Sequence, residues 1–225
     1  MRPCHEGFNG RDRPSQYLDE AMIKLFGHPV STCTRKVLTA LAETNTPYEI
    51  TLVDVPKGEH KLPAHVARQP FGQIPAIEDD GFAMFESRAI CRYLSSKAND
   101  QLTPKDAKAR ALMEQWISVE QSNFSPNAMK FIYQFVFGRP QEQAVLDGAN
   151  GMLEKTFAAI SKPLEKNTFL TGDQFTIADI GYMPYLEYLM KAPPAKETFE
   201  KYPPVVAWWN RISERPSWRK VTGRA

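Results

Sequence analysis

A change of pattern near residue 99 constrains the fold of this 225-residue chain more than any other feature. Before that point, short apolar runs alternate with longer segments of helical period, a pattern typical of βαβ units joined to further strands. After a polar linker at residues 99–104, strand signals largely stop and helical periods continue between prolines and glycines. The sequence therefore predicts an α/β domain over residues 22–99, followed by an all-helical domain over residues 105–225.

The first domain is expected to have the element order βαβαββα. Apolar runs predict strands over residues 22–26 and 48–53, with a helix over residues 31–45 between them. A polar segment follows, with room for one short helix. Two more strands, closed by a hairpin turn at Asp80 and Gly81, precede a helix over residues 87–96. We expect a compact sheet covered by helices.

In the second domain, apolar residues at helical spacing predict four segments. The first covers residues 105–137 and is expected to break at Pro126, because proline interrupts a helix interior. The others cover residues 141–162, 177–189 and 205–214. The arginines and lysines of the C-terminal tail are interpreted as a solvated helix face.

Composition excludes several classes of protein and partner. Hydrophobic residues make up 42% and charged residues 24%, which is typical of a globular chain. A net charge of +2 leaves no excess that would require nucleic acid or an anionic membrane, and the apolar stretches fall far short of the roughly 20 residues that cross a bilayer. We therefore expect no nucleic-acid partner and no membrane partner.

Residues 1–21 show no continuous apolar stretch and no regular period, so we interpret them as a flexible leader and not as a secretory signal. The three cysteines, Cys4, Cys33 and Cys91, are too few for a disulfide framework and form no CxxC pair. The sequence therefore predicts a cytoplasmic protein without a metal site.

The segment GHPVSTCTRKV, residues 27–37, places hydroxyl and thiol groups at the start of the first predicted helix. A helix N-terminus offers unpaired N–H groups and the positive end of the helix dipole, so it favours an anion such as a thiolate. Ser31 could supply a hydrogen bond to such an anion, or it could simply cap the helix. Cys33 could be a reactive thiol or a buried small residue.

Two further segments could bind a small peptide. In QPFGQIPA, residues 69–76, a cis bond before Pro75 would let the Ile74 backbone face an extended ligand, whereas a trans proline at a sheet edge would have no such role. In ESRAI, residues 86–90, Glu86 could accept from an ammonium group, and Ser87 with the helix N–H groups could hold a carboxylate. Each feature alone is also compatible with ordinary capping.

The order of these segments resembles one family. The blocks GHPVSTCTRKVLTAL, GEHK, QPFGQIPA, FESRAICRYL and FTIADIGYMP occur in the order and spacing of a cytosolic glutathione S-transferase, and they are most similar to the phi class. This resemblance covers residues 22–225. It implies a thioredoxin-like first domain that holds glutathione, a helical second domain that carries the hydrophobic substrate site, and a homodimer. Phe71, Met84 and Phe85 are candidate interface residues.

The resemblance also implies residue roles. Ser31 would be the catalytic residue, whose hydroxyl donates a hydrogen bond to the glutathione sulfur. The remaining glutathione contacts would be His60 and Lys61 at the glycine carboxylate, Gln73, Ile74 and Pro75 at the cysteinyl part, and Glu86 and Ser87 at the γ-glutamyl end. Thr176 and Asp179 fit a capping box of the helical domain, a folding element.

The electrophile would lie against the first long helix of the second domain. Met129, Tyr133 and Phe137 recur every fourth residue there, which is consistent either with a core stripe or with the wall of a substrate site. Glutathione would be a co-substrate, and no other cofactor is expected.

We therefore expect a glutathione transferase that acts on hydrophobic electrophiles and also, with the same thiolate, on organic hydroperoxides. Two alternatives are a noncatalytic small-molecule carrier and a thiol transferase or dehydroascorbate reductase that uses Cys33. In those related cysteine classes the thiol occupies the place of Ser31, so Cys33 is displaced by two residues.

Overall fold

The computed structural model of the chain describes residues 22–224, so the predicted leader lies outside the described residues. Within that range the chain forms four strands and ten α-helices. The strands are β1 (Ile23–Gly27), β2 (Tyr48–Leu52), β3 (Ala76–Asp79) and β4 (Phe82–Phe85). The helices are α1 (Thr32–Glu43), α2 (Pro63–Val66), α3 (Ser87–Lys97), α4 (Ala107–Val119), α5 (Ser125–Phe135), α6 (Gln143–Leu164), α7 (Ile177–Leu189), α8 (Pro193–Glu200), α9 (Pro203–Ser213) and α10 (Pro216–Thr222).

The four strands form one mixed sheet in the order β2-β1-β3-β4. β1 pairs with β2 in parallel, while β3 is antiparallel to both β1 and β4. In this register Phe26 lies opposite Ala76, and Ala76 lies opposite Phe85. The end of β1, the start of β3 and the end of β4 therefore meet at one edge of the sheet, where all three candidate segments are located.

The core of the first domain forms where apolar strand residues pack under α1 and α3. Ile23 and Ile77 from the sheet, Val37 and Leu41 from α1, and Leu94 from α3 are at most 1% exposed. Removing this apolar surface from water is the main stabilising contribution to such a layer. The predicted βαβαββα order is confirmed, and the polar segment forms a short 3-10 turn (Glu59–Lys61) in addition to α2.

The helical domain departs from the prediction at its first segment. The predicted break at Pro126 is wrong in position, because Pro126 lies in the first turn of α5, where proline is tolerated. The break between α4 and α5 is instead a π-helical turn, Glu120–Phe124. A π turn inserts one extra residue into a helix and changes the direction of the side chains that follow.

α7 occupies the centre of the helical domain and has the predicted bounds. Its N-terminus carries the expected capping box, in which the Asp179 carboxylate accepts from the N–H of Thr176 at 2.9 Å. Asp179 also accepts from the indole of Trp208 at 2.9 Å and from the N–H of Leu170 at 3.1 Å. The Asp179 carboxylate therefore links the start of α7 to the loop at Leu170 and to α9.

Two helices, α8 and α10, were not predicted, and α9 begins at Pro203, two residues before its predicted start. All three have proline in their first turn. Proline suits that position because its fixed φ is already helical and no N–H is needed there. In these three places the prolines expected to separate helices are instead the residues at which helices begin.

None of the helices in residues 22–224 has the length and apolar character needed to span a membrane. The same residues contain no cluster of three or more His, Cys, Asp or Glu side chains suited to a metal ion.

Candidate active site

A cleft of about 680 Å³ opens between the turn after β1 and the end of α5. It brings together the catalytic candidate of the first domain and the apolar stripe of the second. The lining residues are His28, Val30, Ser31, Thr32, Asp54, Val55, Pro56, Lys57, Ile74, Met129, Tyr133, Phe137 and Arg139.

Ser31 is the N-cap of α1, with extended backbone angles (φ −71°, ψ 128°). Its Oγ accepts a hydrogen bond from the N–H of Thr34 at 3.2 Å. A hydroxyl can accept and donate at the same time, so capping leaves the Ser31 proton for an acceptor in the cleft. The two roles that the sequence left open for this serine are therefore compatible.

The turn that carries Ser31 is held from several directions. The hydroxyl of Tyr188 on α7 donates to the carbonyl of Val30 at 2.7 Å, and Arg35 donates to the carbonyl of Pro29 at 2.7 Å. At Gly27 an added Cβ would lie 2.7 Å from the Thr34 hydroxyl oxygen, so only glycine lets the strand approach the helix this closely. The position of Ser31 is therefore set by both domains.

The loop before β3 contains Gln73 and the Ile74–Pro75 peptide bond, which is cis. Gln73 is anchored by its backbone, because its N–H donates to Gln69 Oε1 at 3.0 Å and its carbonyl accepts from His65 Nε2 at 2.7 Å. Within residues 22–224, the N–H and C=O of Ile74 take part in no turn or side-chain hydrogen bond. An extended ligand could pair with them.

Glu86 connects β4 to α3 and has a left-handed φ of 70° with ψ of 103°. Such a conformation is strained for a residue with a side chain and is found mainly at functional sites. The register of β3 and β4 places Glu86 beside Pro75. In the described part of the chain its carboxylate has no ion-pair partner, while Ser87 is 3% exposed in the first turn of α3.

His60 and Lys61 belong to the 3-10 turn, away from the cleft lining. Lys61 Nζ donates to the carbonyl of Phe71 at 3.0 Å, and Gly72 (φ 58°) lets the two segments approach, since a Cβ there would lie 2.9 Å from the His60 carbonyl. The Nδ1 of His60 is buried and has no hydrogen-bond partner among the described residues. A buried nitrogen without a partner is costly, so a hydrogen bond from a ligand to this nitrogen would be favourable.

The α5 stripe forms the wall of the cleft opposite Ser31. Met129 and Tyr133 are half-buried, and Phe137, just beyond the helix end, is 40% exposed. The rings of Tyr133 and Phe137 are 6.3 Å apart, and that of Phe137 is 5.9 Å from Tyr188. All three residues of the stripe therefore line the cleft, and Met129 also packs against the core.

Of the predicted glutathione contacts other than Ser31, only Ile74 lines this cleft, and the others do not: His60, Lys61, Gln73, Pro75, Glu86 and Ser87. They lie beside it along the sheet edge, on the segments that flank Ile74. Of the candidate interface residues, Phe71 is 65% exposed and lies edge-on to Phe85 at 6.1 Å, while Met84 and Phe85 are half-buried.

A buried charge network between the domains was not predicted from the sequence. Lys36 on α1 donates to Glu120 Oε1 at 3.0 Å, and Arg88 on α3 binds both oxygens of Glu120, at 2.7 Å and 2.9 Å. Burial alone would lower the pKa of Lys36, but Glu120 and Tyr185 hold that pKa above its usual value. A lysine among the apolar residues of α1 was the available signal.

The two cysteines of the described range differ in environment. Cys91 is buried in α3, and burial raises the pKa of its thiol to about 12. Cys33 is half-buried in the first turn of α1 and is not among the residues that line the cleft.

Comparison with known proteins agrees with this geometry. The family model for the glutathione S-transferase N-terminal domain matches residues 21–96, and the model for the C-terminal domain matches residues 124–216. Glutathione S-transferase F11 from Arabidopsis thaliana is 35% identical over 207 residues, which cover 89% of this chain and 97% of the relative.

Solved structures are similar over the same range. Glutathione transferase F2 from Populus trichocarpa has a TM-score of 0.85 and 37% identity, covering 90% of this chain and 98% of that one. Glutathione S-transferase I from maize, solved in complex with an atrazine glutathione conjugate, has a TM-score of 0.83 and 33% identity, covering 90% and 97%.

Proposed function

Because the chain belongs to the glutathione S-transferase family, with phi-class enzymes as its curated relatives, we propose that Ser31 stabilises the thiolate of glutathione for attack on hydrophobic electrophiles. Glutathione is the co-substrate of this family. The observation that carries the proposal is one cleft lined by both the Ser31 hydroxyl and the α5 stripe.

The energy requirement for thiolate formation is modest. A free cysteinyl thiol has a pKa of about 8.5, so about 3% is thiolate at pH 7. Lowering that pKa by about two units takes roughly 2.7 kcal/mol of preferential binding to the anion. A hydrogen bond from Ser31 to the charged sulfur contributes about 1.5–3 kcal/mol, and the α1 dipole adds about 0.3–1 kcal/mol. Together these meet the requirement.

The remainder of glutathione would lie along the sheet edge. The Ile74 backbone pairs with the cysteinyl part beside Pro75 and Gln73, Glu86 accepts from the γ-glutamyl ammonium, and the first turn of α3 at Ser87 holds its carboxylate. His60 and Lys61 bind the glycine carboxylate at the other end. This assignment accounts for the unpaired Ile74 backbone and the buried Nδ1 of His60.

The electrophile then lies on Met129, Tyr133 and Phe137, above the sulfur. In conjugation, the thiolate forms the new carbon–sulfur bond and the leaving group departs with its electron pair. With a hydroperoxide, the thiolate instead takes the terminal oxygen and releases an alkoxide, which is protonated. A second glutathione then displaces water to give glutathione disulfide.

Further parts of the proposal concern assembly and setting. The enzyme acts in the cytoplasm as a homodimer in which the first domain of one subunit packs on the second domain of the other. The division is at residues 22–99 and 105–225, after the leader of residues 1–21. A carrier function and a Cys33-based thiol transferase are the competing functions.

The test is glutathione conjugation to 1-chloro-2,4-dinitrobenzene between pH 6 and pH 8, with Ser31→Ala, Ser31→Gly and Cys33→Ala. Both serine variants remove the hydroxyl, but glycine is nearly as good an N-cap as serine, whereas alanine costs about 0.5–2 kcal/mol of stability. The proposal expects both serine variants to lose most activity near pH 7 and to recover part of it at pH 8, where more free thiolate exists.

Activity that is lost only in Ser31→Ala would mean that the serine acts by capping α1. Activity that is lost only in Cys33→Ala, together with a glutathione mixed disulfide detected by intact mass, would favour the thiol transferase. An unmutated protein that binds glutathione and apolar dyes but turns over no electrophile or hydroperoxide would be a carrier.

A further inference from the structure

The mouth of the cleft holds a cation that the glutathione chemistry does not use. Arg139 lines the cleft, and its guanidinium carbon lies 5.5 Å from the ring centroid of Tyr133. No carboxylate within residues 22–224 forms an ion pair with it. The cation is therefore placed over the aromatic wall and has no internal counter-charge.

A defined turn presents this side chain. Gly138 ends the α5 segment with φ of 62°, and the N–H of Arg139 donates back to the carbonyl of Tyr133 at 2.8 Å. Gln141 then closes the loop, because its N–H donates to Gln134 Oε1 at 2.7 Å and its side chain donates to the Arg139 carbonyl at 3.1 Å. An αL glycine followed by a backward hydrogen bond is an ordinary helix stop, so the arginine backbone is fixed beside the stripe.

The other charged groups of the cleft largely cancel. Asp54 is the one carboxylate among the lining residues, and Lys57 pairs with it at 3.0 Å. Asp54 also accepts from the N–H of Lys57 at 3.1 Å. The remaining titratable neighbour is His28, whose Nδ1 accepts from the N–H of Val30 at 3.3 Å. The net charge at the mouth is therefore positive and comes from Arg139.

We infer that the cleft selects electrophiles in which an aromatic body carries an acidic group, and that Arg139 is the specificity-determining residue that binds this group. The aromatic body stacks on Tyr133 and Phe137, while the guanidinium of Arg139 donates to the carboxylate or sulfonate. Arginine suits this task because its planar fork can bind an oxyanion and stack on a ring at once. The inference rests on the proposed function, since it assigns the substrate class of the same cleft.

The experiment uses two aryl chlorides that share a ring and a leaving group. 4-Chloro-3,5-dinitrobenzoate is anionic, and 4-chloro-3,5-dinitrobenzamide is its neutral counterpart. We compare kcat/KM for both in the unmutated protein, Arg139→Gln, Arg139→Lys and Lys155→Gln. Lys155 is exposed on α6, lies outside the cleft lining and forms no ion pair within residues 22–224, so its variant removes one charge elsewhere.

We expect Arg139→Gln to lower the ratio of kcat/KM for the benzoate to kcat/KM for the benzamide by about three- to tenfold. This range corresponds to the contribution of a charged hydrogen bond that is between fully exposed and partly buried. Arg139→Lys keeps the charge but loses the planar fork that stacks on Tyr133, so it should lower the ratio less than Arg139→Gln does, and Lys155→Gln should leave the ratio unchanged. The inference would be overturned if Arg139→Gln lowered kcat/KM by the same factor for both substrates. It would also be overturned if Lys155→Gln lowered the benzoate to benzamide ratio as much as Arg139→Gln does.

Equilibrium binding separates this result from failure of the proposed function. Calorimetry with S-(4-carboxybenzyl)glutathione and S-(4-carbamoylbenzyl)glutathione needs no turnover, and the same fall in their affinity ratio is expected for Arg139→Gln. A discriminating but inactive protein would refute the transferase and keep the anion site. An active protein in which neither the kcat/KM ratio nor the affinity ratio depends on Arg139 would keep the transferase and refute the anion site.

Discussion

Tyr188, on the central helix of the second domain, donates a 2.7 Å hydrogen bond to the carbonyl of Val30, the residue before Ser31. The Tyr188 ring is buried, and the guanidinium of Arg35 lies 4.7 Å from its centroid. The helical domain thus restrains the turn that carries the catalytic candidate. The geometry of the proposed glutathione site therefore depends on both domains.

Tyr188→Phe tests this restraint. Loss of the hydrogen bond should lower the free energy of unfolding by about 0.5–1.5 kcal/mol. It should also lower kcat for conjugation by about two- to fivefold, because a less restrained Ser31 is less accurately placed. Tyr202→Phe is the control, since the Tyr202 hydroxyl has no hydrogen-bond partner within residues 22–224. Stability that falls while kcat stays constant would limit Tyr188 to a structural role.

Replacing Glu120 should be costly. Glu120→Gln leaves Lys36 and Arg88 without their counter-charge in a buried interface, and breaking a buried ion pair in this way costs about 3–5 kcal/mol. Glu114→Gln is the matched control, because the Glu114 pair with Arg92 is partly exposed and should contribute about 1 kcal/mol or less. Urea unfolding of both variants measures the difference, and equal losses would contradict the assignment.

The Asp79 carboxylate makes part of the free energy of unfolding depend on pH. Burial alone would raise its pKa, but hydrogen bonds from Lys97 and Tyr93 hold the pKa below its ordinary value of 3.8. A carboxyl with a lowered folded-state pKa stabilises the fold above its unfolded pKa, and that contribution is lost as the pH falls through the folded pKa. The stability difference between the unmutated protein and Asp79→Asn should therefore be largest near pH 6 and shrink below pH 3.8. A difference that is constant from pH 6 to pH 3 would show that the carboxyl does not titrate as described.

The thiols of Cys33 and Cys91 should react with a thiol reagent at different rates. In a Cys4→Ser background, Ellman's reagent at pH 8 should modify Cys33 in the folded protein, and Cys91 only after unfolding. The reason is that Cys91 is buried and its pKa is about 12, so almost none of it is thiolate at that pH. Cys33→Ala should abolish the rapid phase. A rapid phase that remains in Cys33→Ala would mean that Cys91 is accessible.

Local signals in the sequence predicted much of the first domain and the position of Ser31. Capping residues, the Asp80 and Gly81 turn, and the capping box at Thr176 act over a few residues, so a single sequence contains the full pattern. The bounds of α7 followed from the same kind of signal.

Two contacts between distant segments were not predicted from the sequence. In the sequence, Glu120 cannot be told apart from a charged residue on the solvent-facing side of a helix. It is buried only because α1 and α3 pack against the π turn. Arg139 likewise follows an ordinary helix stop, and its location at the cleft depends on how the second domain packs on the first. Such relationships depend on tertiary packing, which local periodicity does not report.

The π turn of Glu120–Phe124 has a consequence for how sequences of this kind can diverge. Each residue added to or removed from an α-helix rotates everything after it by about 100°. Within α5, deleting one residue between Met129 and Tyr133 would therefore turn Tyr133 and Phe137 away from the Ser31 cleft, whereas the π turn already holds one residue more than an α turn and can lose that residue by becoming α-helical. Substitutions along α5 can reshape the proposed electrophile site one side chain at a time, whereas a change of length within α5 would remove part of that site at once, and the π turn is the place where one residue can be gained or lost without this effect.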